Sequence, residues 1–173
     1  PRSLVAGDEL SVTDVRERHA ASWTIPPASI DDPAVLRFIP GPDLAAFEGS
    51  PWEAFIKAVH TASPRSDRMG VRLDTPIPPP RWPSDAASRP AVRGLVQVPP
   101  DGRPIVLGAD CQTIGGYPAI GCVASVDWPT LGQLRPGARV RFRAIDLPTA
   151  INALQEQRRE FDHLRAGVAA RDA

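Results

Sequence analysis

Gln97-Val98-Pro99-Pro100-Asp101-Gly102-Arg103-Pro104-Ile105-Val106-Leu107-Gly108-Ala109-Asp110-Cys111-Gln112-Thr113-Ile114-Gly115-Gly116-Tyr117-Pro118-Ala119-Ile120-Gly121 is the stretch that decides the fold. It leaves one β-rich run, Leu95–Val98, turns at Pro100-Asp101-Gly102 and resumes as Ile105–Leu107. A polar cluster of Asp110, Gln112 and Thr113 follows, then a Gly-Gly-Tyr-Pro turn, then a third apolar run, Gly121–Val126. Short β-branched runs punctuated by Pro and Gly predict strands joined by tight turns, because these punctuating residues either fix φ or free it.

Working outward, Val35–Ile39 predicts a strand stopped by Pro40-Gly41-Pro42, and Arg139–Ala144 predicts another. Short strands at such spacing point to a mainly β barrel or sandwich. Ser50-Pro51-Trp52-Glu53 predicts a helix start, with Ser50 as cap, Pro51 at the first helical position and Glu53 completing a capping box. Phe55, Ile56 and Val59 give that helix an apolar face. The proline-rich stretch 76–90 predicts a rigid extended connection. Asp127-Trp128-Pro129-Thr130 predicts a single helical turn ending near Leu134. At the C-terminus, Leu147, Leu154, Phe161 and Val168 recur at heptad spacing beside Ile151 and Leu164, predicting an amphipathic helix opened by Pro148. The expectation is that this helix packs on its own barrel.

Leu4-Val5-Ala6-Gly7-Asp8-Glu9-Leu10-Ser11-Val12 and Leu134-Arg135-Pro136-Gly137-Ala138-Arg139-Val140-Arg141-Phe142 share the pattern Leu-x-(small or Pro)-Gly-x-x-aliphatic-x-apolar. The match suggests that the chain is the back part of a two-repeat architecture. Residues 1–34 would be the tail of an upstream subdomain, turned at Gly7-Asp8 into a short strand, plus a polar linker. Residues 35–146 would form a complete subdomain, and 147–173 the C-terminal helix.

The totals narrow the chemistry. The 173 residues, 42% hydrophobic and 23% charged, suffice for one domain with a hydrophobic core. Twenty basic residues balance 20 acidic ones, which argues against a nucleic-acid binder or a polybasic membrane patch. With neither a membrane-length apolar run nor a secretory-type start, a soluble, cytoplasmic protein is expected. Cys111 and Cys122 are expected as free, mostly buried thiols. His19, His60 and His163 lie in unrelated, mostly helical contexts, without metal-ligand spacing. Lys57 is the only lysine, so there is no Walker A loop, no Schiff-base motif and no biotin attachment site. A cofactor such as ATP or biotin is therefore expected on a partner chain, and none on this one.

Chemistry is expected between Arg65 and Gly121. Ser66-Asp67-Arg68-Met69-Gly70 is followed by Arg72-Leu73. Asp67 and Arg68 are adjacent, so one of them can hold a ligand or pair across a site while the other faces away. In the second cluster Asp110 is placed to act as a base or to orient a nucleophile. Gly115 and Gly116 permit positive φ, and their amides can cradle an anion. Tyr117, the single tyrosine, can set a hydroxyl at the pocket edge.

Several ordered motifs resemble one family. They are Leu36-Arg37-Phe38-Ile39-Pro40-Gly41-Pro42, Ser66-Asp67-Arg68-Met69-Gly70-x-Arg72-Leu73 and Gly94-x-x-Gln97-Val98-Pro99-Pro100-Asp101-Gly102-x-Pro104-Ile105. Asp110-x-Gln112-Thr113-x-Gly115-Gly116-Tyr117-Pro118 and Gln133-Leu134-Arg135-Pro136-Gly137 complete the set. Together they are similar to the second half of the allophanate hydrolase subunit 2 family. That family resembles the carboxyltransferase domain of urea carboxylase and takes in the C subunit of the ATP-dependent 5-oxoprolinase.

The resemblance implies a cyclophilin-like β-barrel that works in a complex with a subunit-B-like protein and the upstream half. It implies, first, ATP-dependent opening of 5-oxoproline to glutamate, with ATP on a partner chain and the isolated chain inactive. Biotin-dependent carboxyl transfer to a urea-like amide is the alternative, and a non-catalytic regulatory partner the third possibility. Catalytic roles are expected for Asp110, Gln112 and Thr113, and substrate contacts for Arg68, Gln97, Gly115, Gly116 and Tyr117. Three positions depart from the family pattern: Cys111 in place of Arg, Ala119 in place of Lys, and Arg89 in place of an acidic residue after Ser88.

Overall fold

Ala34–Pro40 alternates buried and outward residues along its length, with Ala34, Leu36 and Phe38 at 2% exposure or less. This strand, β1, is the spine of the barrel. The structure, a computed structural model, describes residues 3–11, 13, 30–47, 49–83 and 85–170. After β1 come α1 (Ser50–Lys57), β2 (His60–Thr61), β3 (Gly70–Arg72), β4 (Arg89–Pro90), β5 (Leu95–Gln97) and β6 (Ile105–Leu107). Then follow β7 (Ile114–Gly115), β8 (Ala119–Val123), α2 (Trp128–Gly132), β9 (Arg139–Ala144) and α3 (Leu147–Ala169).

Seven strands form one sheet in the order β2-β9-β1-β8-β5-β6-β3. Only β1 and β9 run parallel; the other neighbours in this sheet are antiparallel. The two outer strands then meet. Ala62 bridges Leu73, Ser63 N–H donates to the Arg72 carbonyl at 2.8 Å, and Asp74 N–H donates to the Thr61 carbonyl at 2.9 Å. The sheet curls on itself as a cyclophilin-like barrel, and that closure pairs backbone groups an open edge would leave bare. β4 and β7 form a separate two-stranded ribbon.

Inside, Phe38, Phe55 and Phe142 pack with ring centroids 4.6–5.9 Å apart. His60 joins them, fully buried, its ring 5.1 Å from that of Phe55. Its Nε2–H donates to the Phe55 carbonyl at 2.9 Å, which leaves Nδ1 without a hydrogen-bond partner. Burial holds the His60 pKa below its ordinary value. An unfolded histidine takes up its proton below about pH 6.5, whereas the folded one resists. Stability is therefore expected to fall as pH drops from 7 toward 5, by up to about 1.4 kcal/mol per pH unit for this one proton. His60→Leu should flatten that slope in urea titrations at pH 7 and pH 5. An unchanged slope would assign the acid sensitivity to other groups.

Several expectations shift at the edges. Ile105–Leu107 and Arg139–Ala144 form as read, and Leu95–Val98 shortens by one residue. The run predicted at Gly121–Val126 starts earlier, at Ala119, and stops at Val123, because Ser125–Asp127 turns as a 3-10 helix into α2. α1 begins at Ser50, so the N-cap is Gly49 rather than Ser50; Glu53 pairs with Lys57 at 2.9 Å instead of completing a capping box. His60 sits on a strand rather than in a helical context, and His19 lies outside the described residues.

Near the N-terminus the Gly7 turn is present, but residues 8–11 form no strand. Gly7 and Gly137 both adopt left-handed φ, 94° and 83°. Asp8 N–H donates to the Val5 carbonyl, and Ala138 N–H to that of Arg135. The two matched sequence segments thus build the same turn.

α3 departs most from expectation. Its start holds: Asp146 caps Thr149 N–H at 2.9 Å, and Pro148 occupies the first turn. Its first half lies on the body through buried Ala150 and a 3.3 Å bond from Gln157 to the Val126 carbonyl. Beyond that point the helix leaves the barrel, with Phe161 56% and Leu164 46% exposed. The heptad pattern records amphipathicity but not what the apolar stripe meets. No helix among the described residues is long and apolar enough to cross a membrane.

Candidate functional site

The register of three strands builds the site. Gly70 pairs with Leu107, Arg72 with Ile105, and Gln97 with Ile105. Alternate residues share a face, so Val71, Val96 and Val106 turn to one side, where Val96 and Val106 enter the core. Gly70, Arg72, Gln97, Ile105 and Leu107 turn to the other. The 108–118 loop folds over that second face. Between them lies a groove of about 540 Å³, walled by Pro99–Asp101 on one flank and by Gln112 and Tyr117 on another.

Gln97 is the unusual residue here. It is only 3% exposed, yet no hydrogen bond forms to its side-chain amide among the described residues, and it lines the groove. Two backbone features put it there. A register shift between Val96 and Gln97 re-aims the side chain, as bulges do. Gly115 then passes directly over it: a Cβ at Gly115 would lie 2.6 Å from Gln97 Nε2. Gly115 is therefore required for close approach and not for positive φ. Neither Gly115 nor Gly116 adopts the left-handed conformation expected of them, and neither lines this groove.

Arg72 lies within one of the motifs, but nothing in the sequence singles it out as a site residue. It stands on the groove face, and its guanidinium makes no ion pair among the described residues. A free cation and an amide that face one groove from either side of Ile105 can bind a ligand that carries both a carboxylate and an amide or lactam. Asp67 also reaches the groove, but its Oδ1 is committed to Met69 N–H (2.9 Å) and Gly70 N–H (3.1 Å), which shapes the turn leading into β3.

Asp110 and Arg68 pair across the loops, one of the alternatives the sequence allows. The contact uses two hydrogen bonds, and Asp110 N–H also donates to the Arg68 carbonyl at 3.0 Å. The pair is exposed, and neither member lines the groove. The Arg68 guanidinium holds the Asp110 carboxyl below the usual carboxylate range, which makes it a weaker base. Strand β6 ends at Leu107, so alternation does not carry through to Asp110. Thr113 is exposed, and its carbonyl accepts from Ala91 N–H at 2.8 Å. Of the eight expected site residues, Gln97, Gln112 and Tyr117 come together in the groove. Asp110, Thr113, Arg68, Gly115 and Gly116 support its surroundings.

Arg89 and Ala119 meet at one carboxylate, the first through its side chain and the second through its backbone. Asp43 is buried, accepts from Ala119 N–H at 2.9 Å, and takes Arg89 Nη1 at 2.7 Å and Nη2 at 2.5 Å. Arg89 keeps the Asp43 carboxyl below its usual range. Cys111, the third departure, is half-buried beyond the end of β6 and lines none of the groove; it and Cys122 are free thiols. No cluster of three or more His, Cys, Asp or Glu side chains suited to a metal exists among the described residues.

A barrel closed through Ala62 and Leu73, with a polar groove of small-molecule size on its outer face, is a cyclophilin-like domain of the kind found in urea carboxylase. The structure of Kluyveromyces lactis urea carboxylase superposes with a TM-score of 0.68 at 24% identity, over 75% of this chain and 12% of that one. The chain belongs to the family described as carboxyltransferase domain, subdomain A and B, which its residues 1–144 match. Among curated relatives, the C subunit of 5-oxoprolinase from Escherichia coli (strain K12) is 37% identical over 129 residues, 75% of this chain and 42% of that protein. The protein of the same name from Haemophilus influenzae is 34% identical over 164 residues, 95% of this chain and 52% of that one. The chain thus spans about half the length of the curated relatives it matches.

Proposed function

We propose that this chain supplies the substrate groove of the C subunit in a 5-oxoprolinase-type complex, which opens 5-oxoproline to glutamate in a reaction driven by ATP. The observation that carries this reading is the Gln97 amide, which opens into the groove with no hydrogen bond among the described residues, and the unpaired Arg72 on the same sheet face across Ile105. 5-Oxoproline is a lactam bearing a carboxylate. Arg72 meets the carboxylate, while the Gln97 amide offers one donor and one acceptor to the lactam C=O and N–H. As water adds to the lactam carbonyl, its oxygen gains negative charge before the C–N bond breaks. The Gln97 Nε2–H group is the donor placed to stabilise that charge, in place of the Gly115–Gly116 amides. Tyr117 and Gln112 close the groove from the loop side. The Arg68–Asp110 pair holds the loop that carries Gln112.

ATP belongs on a partner chain in this reading. Residues 1–34 belong to an upstream subdomain, as the shared Gly7 and Gly137 turns support, and a subunit-B-like protein completes the assembly. The relatives' name favours lactam opening; the likeness to urea carboxylase extends to fold alone. The test is co-expression with the upstream half and a subunit-B-like partner, followed by an assay of glutamate released from 5-oxoproline with and without ATP. ATP-dependent release supports the proposal. Biotin-dependent carboxylation of urea, or a stable complex with no turnover of 5-oxoproline, overturns it.

A further inference from the structure

Beside the polar groove lies a second cavity of about 410 Å³ with a different lining, formed by Pro79, Trp82, Pro83, Val98 and Pro118. Tyr117 and Pro100 belong to the walls of both cavities. The surface facing this annex is mostly apolar. The carbonyl of Gly116, one of its lining residues, accepts from Trp82 Nε1–H at 3.0 Å. Trp82 is also held from its other side: the Arg89 guanidinium lies 4.8 Å from its ring centre, and Arg89 is itself anchored on Asp43. A ring pinned by a hydrogen bond and a cation contact keeps the annex preformed. The arginine that departs from the family pattern is the one that holds this wall.

We propose that the groove and annex form one bipartite site, whose ligand is an amide or lactam carrying an apolar substituent. The polar head rests on Gln97 and Arg72, and the apolar group passes Tyr117 to lie against Trp82 and the prolines. This rests on the proposed function for the nature of the head group; the annex itself is independent of it. An annex whose walls are mostly apolar favours apolar ligand surface.

The experiment compares two probes on the assembled complex by calorimetry, 5-oxoproline and 4-benzyl-5-oxoproline. The benzyl compound should bind at least about tenfold more tightly, since even a methylene in an apolar pocket is worth about tenfold or more. Ala86 lines the far wall of the annex and lies outside the polar groove. Ala86→Phe should abolish the benzyl gain and leave 5-oxoproline affinity unchanged. Equal affinity of the two probes for the unmodified complex would overturn the inference, whatever becomes of the variant. A benzyl gain present in the isolated chain but lost in the complex would also overturn it, because a partner side chain would then fill the annex. If 5-oxoproline fails to bind while the benzyl compound binds in an Ala86-dependent way, the annex stands and unsubstituted 5-oxoproline falls as the substrate.

Discussion

Gly121→Ala is expected to destabilise the barrel by at least about 3 kcal/mol, the upper part of the range for overpacking a well-filled core. Gly121 sits in β8 opposite Val96 on one side and Pro40 on the other. A Cβ there would overlap both Phe38 Cζ and the Ile39 carbonyl oxygen. The second contact is backbone and cannot yield without opening the β1–β8 ladder. Nor can the first, because Phe38 is fully buried among Trp52, Phe55 and Phe142. For a chain of this size each kcal/mol lowers Tm by about 2–4 °C, so a fall of roughly 6–12 °C is expected in a thermal melt. Gly132→Ala is the control. Gly132 ends α2 with nothing within 4 Å of its added Cβ, so that variant should be neutral or slightly more stable. A Gly121→Ala melt within about 2 °C of the unmodified protein would mean that the strands are not packed this tightly.

The rule that predicts Gly121 also separates what could be read from the chain. Ile105–Leu107 is a β-branched and aliphatic run closed by Pro104 and Gly108, and Arg139–Ala144 alternates polar and apolar residues as a half-buried strand does, so both can be seen in the residue pattern. The strands that close the barrel do not: His60–Thr61 and Gly70–Arg72 are too short to show any period, and only pairing partners distant in sequence create them. The same limit governs the site. Gln97 and Tyr117 stand out through motif context, and the structure brings them together. Asp110 belongs to the same cluster, but β6 ends at Leu107 and the side chain leaves the sheet face. Arg72 needed the β3–β6 register to be seen. The Asp43–Arg89–Trp82 chain joins positions far apart in sequence through ion-pair and ring contacts that no local spacing encodes. Family resemblance located the groove motifs, whereas the annex joins two of those motifs, at Val98–Pro100 and Gly116–Pro118, to the proline-rich connection that carries Trp82.

Gln97→Leu should lower activity without lowering stability. Gln97 is buried to 3% exposure with its amide facing the groove and no protein partner among the described residues. The amide atoms are not sealed from solvent but open into the groove, and they make no hydrogen bond among the described residues that leucine, of similar volume, would remove. Gln97→Leu should therefore leave the urea midpoint of the chain nearly unchanged. In the assembled complex the same change removes the donor facing the lactam oxygen. Loss of one such donor lowers turnover by about 10²–10³-fold in enzymes that use preorganised donors. The loss should fall mainly on kcat, because the oxygen gains charge in the transition state more than in the bound lactam. Gly115→Ala offers a second approach to the same residue. Its Cβ would press on Gln97 Nε2 and displace the flexible end of the side chain while the amide remains present, so activity should fall with little change in the urea midpoint. If Gln97→Leu lowers stability and activity together, the amide is a structural group whose partner lies elsewhere in the assembly, and the groove must bind its substrate through Arg72, Gln112 and Tyr117 instead.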